Sequence, residues 1–177
     1  GRAAKVFASY AGHTAFTIHK NIYRQKSAAD GEGVFSLGFN TLSDAVFFVD
    51  EASMISNMDV EGNFGSGRLL DDLVEFVYNG RNNRLVLIGD VAQLPPVGLM
   101  ISPALDKQEL EAAYNFRVTE VNLVDVMRQV DKSGILQNAT LVRAMIGSNS
   151  NRFVLNLMDF PDVFRIDGGE LLEAIDT

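Results

Sequence analysis

Two short apolar runs, each ending in acid, set the pattern of this chain. Ala45 to Val49 is continuous in apolar residues and stops at Asp50-Glu51. Leu85 to Ile88 repeats the design and stops at Gly89-Asp90. Between them Leu69, Leu70, Leu73, Val74 and Val77 recur with helical spacing, with Asp71 and Asp72 near the start and Asn79-Gly80 as the stop. Strand, helix and strand in that order predict a parallel pair, with the carboxyl ends of both strands opening on one crevice.

The flanking pattern extends this frame. A helix is expected over Gly1–Tyr10, and a second from Thr17-Ile18-His19-Lys20 with Thr14 or Thr17 as its N-cap. Ser27–Gly33 reads as a turn, Val34–Phe39 as a strand, and the glycine- and asparagine-rich Ser56–Gly67 as a loop. Pro95-Pro96 excludes regular structure just beyond the second strand. Further on, the pattern predicts a helix over Asp106–Tyr114 and an alternating strand over Arg117–Leu123. An amphipathic helix marked by Ile135, Ala139, Val142 and Ile146 follows, closed by Gly147. A short strand at Val163–Ile166 and a helix over Gly169–Ile175 complete the chain.

Composition narrows the class. A chain of 177 residues that is 47% apolar is long enough for one ordinary domain with a real core. It has no apolar run of membrane-spanning length, and its first residues lack the pattern of a signal peptide. The absence of cysteine excludes disulfides and thiolate metal sites and fits a cytoplasmic protein. The net charge of −8 is unevenly spread. The first 29 residues hold Arg2, Lys5, Lys20, Arg24, Lys26, both histidines and no acid, whereas the remainder is strongly acidic. Such asymmetry suits either a phosphate-binding face or a solvated helical surface.

Carboxylates at the ends of neighbouring strands can hold Mg²⁺ through water and polarise an attacking water molecule. On the residues alone, Asp50, Glu51 and Asp90 at adjacent strand ends could also hold metal directly, as in a Mg²⁺-dependent nuclease, a rival that leaves Gln93 and the double proline unexplained.

The segments taken together resemble the first motor domain of superfamily 1 DNA helicases, in the RecD- and TraA-like 5′→3′ branch. Val49-Asp50-Glu51-Ala52-Ser53 is similar to motif II of that family, and Gly89-Asp90-Val91-Ala92-Gln93-Leu94-Pro95-Pro96-Val97-Gly98 to its motif III. Gly1-Arg2-Ala3-Ala4-Lys5 resembles the end of motif Ia, Thr17-Ile18-His19-Lys20 the next DNA-contacting segment, and Met127-Arg128-Gln129 motif IV.

The resemblance implies an α/β fold, a RecA-like P-loop NTPase three-layer sandwich with a mostly parallel sheet. It implies ATP and Mg²⁺ as cofactors. Asp50 would order the metal, with Asp90 either supporting its shell or capping the turn. Glu51 would activate water, and Gln93 and Arg128 would contact the γ-phosphate. Arg2, Lys5, Thr17, His19 and Lys20 would meet single-stranded DNA, and Pro95-Pro96 would stiffly link nucleotide site and DNA path.

No Gly-x-x-x-x-Gly-Lys-Ser/Thr occurs in the 177 residues. The chain is therefore expected to be one partial motor domain over residues 1–177 that lacks the phosphate-loop strand. Residues 150–177 would lead toward a missing second motor domain. Alone it is expected to be inactive, or to act as a DNA- or protein-binding module. The strand Leu85–Ile88, deprived of a neighbour, is expected to be covered by a strand of this chain or by another molecule pairing with the open sheet edge.

Overall fold

The computed structural model describes residues 2–25, 35–58, 64–124, 133–146 and 154–175, which fall into two compact units, Gly1–Glu120 and Val121–Thr177. In the first unit α1 (Arg2–Ala11) and α2 (Ile18–Ile22) precede an antiparallel pair, β1 (Tyr23–Gln25) with β2 (Phe35–Leu37). Then come β3 (Val46–Val49), α3 (Leu69–Tyr78), β4 (Arg84–Leu87) and α4 (Lys107–Tyr114). The second unit holds α5 (Gly134–Ile146) and α6 (Leu171–Ile175).

The strand–helix–strand unit forms as its pattern predicts. β3 and β4 are parallel, with Val46 opposite Arg84 and Val49 opposite Leu87. Ile88 N donates to Val49 O at 2.8 Å, and Ala52 N donates to Ile88 O at 2.8 Å, so the ladder runs on past both strands. α3 packs against β4 and α2 and buries Leu70, Leu73, Val74, Phe76 and Val77. These side chains form the core with Ile22, Val49, Ala52 and Ile55. Complete burial of an aliphatic side chain of this kind contributes about 1.5–3 kcal/mol.

Polar residues fix the ends of this unit. Val77 O, one of the carbonyls that a helix C-terminus leaves without an internal donor, accepts from Asn83 Nδ2 at 2.9 Å and Asn40 Nδ2 at 3.3 Å. Asn83 also donates to Leu42 O at 3.0 Å and accepts from Ala45 N at 3.0 Å. One buried amide thus ties the end of α3 to the entry of β3. At the other end Asp72, 3% exposed, accepts from Tyr23 Oη at 2.7 Å, Ser66 Oγ at 2.7 Å and Ser66 N at 3.0 Å. Burial first, and then the Asp72 carboxylate, raise the Tyr23 pKa well above its ordinary value.

Several expectations need correction. The apolar run Ala45–Val49 is buried on one side only: Val49 is buried and Phe47 packs on the core, but Val46 and Phe48 are exposed, because α3 covers one face of the pair. Among the described residues β4 pairs with β3 alone, so no described strand of this chain fills its other edge. Neither Arg117–Leu123 nor Val163–Ile166 forms a strand, since neither meets a pairing partner among the described residues.

α5 forms, yet its expected apolar face lies outward, with Ile135 and Ile146 exposed. Its buried side carries Asn138, which donates to Gly134 O and Asn156 O at 2.7 Å each and accepts from Asn156 N at 2.8 Å. Asp162 caps its start, accepting from Gly134 N at 2.8 Å. No described helix is long and apolar enough to cross a membrane.

Candidate functional site

The two acidic strand ends meet because the backbone turns sharply after β3. Glu51 sits in the left-handed region, φ 55° and ψ 38°, and starts a 3₁₀ turn over Ala52–Met54. A non-glycine residue held there is strained, and such strain concentrates at functional sites. Glu51 N donates to Asp50 Oδ1 at 3.1 Å, which orients the first carboxylate. The turn carries Ala52 and Ser53 back against the end of β4, where both are buried.

Gly89 permits this approach. A Cβ at that position would lie 2.9 Å from Ser53 N and 2.8 Å from Leu105 Cδ1, closer than packed atoms come. Beyond it Asp90 Oδ1 accepts from Ala92 N at 2.9 Å, and Gln93 N donates to Asp90 O at 3.0 Å. Asp90 therefore caps its own turn. That turn presents Gln93, whose side-chain oxygen accepts from Ser53 Oγ at 3.4 Å. Asp50, Glu51, Asp90 and Gln93 thus stand on adjoining turns at the carboxyl ends of one parallel pair, where ligands of such sheets sit.

The donor set suits a hydrated Mg²⁺ bound with phosphates, which needs only one or two protein carboxylates. Among the described residues no three His, Asp or Glu side chains gather into a metal cage.

The proposed DNA contacts lie on other elements. Thr17 is the N-cap of α2, its Oγ1 accepting from Lys20 N at 3.4 Å. His19 is exposed at one face and meets Phe64 edge-on, ring centroids 5.1 Å apart. Lys20 Nζ stands 5.6 Å from the Phe16 ring. Lys5 is exposed on α1, which Arg2 opens, and Pro95 and Pro96 are half-buried after the Gln93 turn. Arg128 lies outside the described residues.

The sequence pattern assigned Asn83 no role, read Asp72 only as a helix-start charge, and gave Ser53 no contact. Only Ser53 left a sign, as the small polar residue that ends the Asp-Glu-Ala-Ser run.

Comparison with curated proteins and with solved structures returned no match to this chain. The family model described as an AAA domain matches residues 1–150. With two acidic strand ends joined on a parallel pair inside the matched region, the chain belongs to the AAA domain family of P-loop NTPases.

Proposed function

We propose that this chain is the greater part of the first motor domain of a superfamily 1, RecD- and TraA-like DNA helicase. The parent couples ATP hydrolysis to 5′→3′ movement along single-stranded DNA. The observation that carries this reading is the junction of the two motifs: Glu51, next to the metal-ordering Asp50, and Gln93 project from turns held together by Gly89 and Ser53.

In this reading Mg²⁺ and ATP supply charge neutralisation and the transferable γ-phosphoryl group. Glu51 accepts the proton of the attacking water. Gln93 and Arg128 direct donors at the oxygens that gain charge, where fixed donors act most strongly. Arg2, Lys5, Thr17, His19 and Lys20 hold DNA phosphates, and Pro95-Pro96 transmits the state of the nucleotide site to them. The partial motor domain spans residues 1–177, with 150–177 leading toward a second motor domain.

No phosphate-cradling loop occurs within the 177 residues, so the isolated chain is an inactive module with weak DNA affinity. A nuclease reading would leave Gln93 and Pro95-Pro96 without a role.

The test is directional: a parent chain carrying a phosphate loop is given duplexes with a 5′ or a 3′ single-stranded tail. ATP-dependent unwinding from the 5′ tail alone is expected. Hydrolysis indifferent to single-stranded DNA, or DNA cleavage by the 177-residue chain, would refute the proposal.

A further inference from the structure

We propose that Ser53 is a positioning residue for Gln93, setting which end of its amide faces the nucleotide. The inference rests on the reading of Gln93 as a γ-phosphate contact. Ser53 is 1% exposed, and a buried hydroxyl must find a partner. The partner found is the side-chain oxygen of Gln93, forty positions away, at 3.4 Å. That separation lies beyond the roughly 2.5–3.0 Å usual for a hydroxyl bond, so the contact is weak in itself and bears on the direction of the Gln93 amide, not on the stability of the fold.

With Oε1 turned inward to Ser53, the amide NH₂ is the end left to face the crevice. An NH₂ donates and cannot accept, which suits a phosphoryl oxygen and not a cation. Two neighbouring features keep the hydroxyl in place. The 3₁₀ turn is anchored by Ala52 N to Ile88 O, and Gly89 lets the Ser53 backbone approach. Motif II thereby reports its position to motif III through one hydroxyl.

A purely structural serine makes a different prediction. Alanine fits a buried serine site, so Ser53→Ala would then leave hydrolysis unchanged.

Two measurements test the proposal. In the 177-residue chain, the Gln93 side-chain amide is followed by ¹⁵N relaxation, with exposed Gln108 as the internal reference. Gln93 should be the more ordered, and Ser53→Ala should bring it to the mobility of Gln108. Equal mobility in the unsubstituted chain, or no change in Ser53→Ala, would overturn the proposal. In a phosphate-loop-bearing parent, Ser53→Ala should lower kcat about three- to tenfold with KM for ATP little changed, the worth of one hydrogen bond. The same substitution on a Gln93→Ala background should do nothing more. Additive losses would overturn the positioning role, whereas an unchanged kcat in Gln93→Ala alone would instead overturn the assignment of Gln93.

Discussion

Substituting Gly89 by alanine should separate the two motifs with a single methyl group. The added Cβ meets Leu105 Cδ1 at 2.8 Å and Ser53 N at 2.9 Å, where ordinary contacts begin near 3.4 Å. Leu105 can swing away, since its contact is the end of a flexible side chain. Ser53 N cannot, because the 3₁₀ turn is pinned by Ala52 N to Ile88 O at 2.8 Å and Ile55 N to Ala52 O at 3.1 Å. Relief therefore requires the turn to move off β4 by about half an ångström, and overpacking of this kind costs about 1–3 kcal/mol. Urea unfolding should show a lower midpoint with an unchanged slope, as for a change in stability alone. In a phosphate-loop-bearing parent the same substitution should depress turnover, because Gln93 loses its buried partner. A stability change within about 0.5 kcal/mol, with turnover intact, would refute the claim that close approach at Gly89 holds the site.

Three further outcomes follow from the same contacts. Asn83→Ala should destabilise by about 1–3 kcal/mol in chemical unfolding, because the buried amide no longer donates to Val77 O and Leu42 O or accepts from Ala45 N; a loss below about 0.5 kcal/mol would show that water and Asn40 replace it. The Tyr23 and Tyr114 pKa values are both raised, chiefly by burial and then by Asp72 and Asp71 respectively, so the neutral hydroxyl is favoured in the folded state. Their contribution is fully present below the ordinary tyrosine value near 10 and is lost as pH rises toward the folded values. Stability should therefore fall above pH 10, less steeply in Tyr23→Phe, and an identical pH slope would contradict the burial argument. Binding of single-stranded DNA by the 177-residue chain should weaken steeply with salt, and joint replacement of Arg2, Lys5 and Lys20 by alanine should flatten that dependence; an unaltered slope would mark these residues as a solvated face.

Signals that act within a few residues were legible in the sequence. The Thr17 cap, the helical period through Leu70 and Val77, and the double proline each state their structure within a few residues, and each forms. Asp50-Glu51 and Gly89-Asp90 likewise announced two strand ends. Long-range partners were not legible. β1 occupies three residues directly after α2, too short to show alternation against the helical pattern before it. Arg117–Leu123 has the alternation of a strand and yet pairs with no described strand. Asp72 reads as a helix-start charge because nothing near it in sequence tells that Tyr23, 49 residues earlier, donates to it. Ser53 was hidden in the same way, since its partner lies forty positions on.

The most direct test of the account is Glu51→Gln in a chain carrying the phosphate loop, with Mg²⁺-ATP binding and turnover measured on the same protein. The substitution keeps shape and removes only the base, so hydrolysis should fall by at least about a hundredfold while nucleotide affinity stays within a few-fold. Turnover that survives, or binding lost as completely as turnover, would contradict the assignment of Glu51 as the residue that activates water.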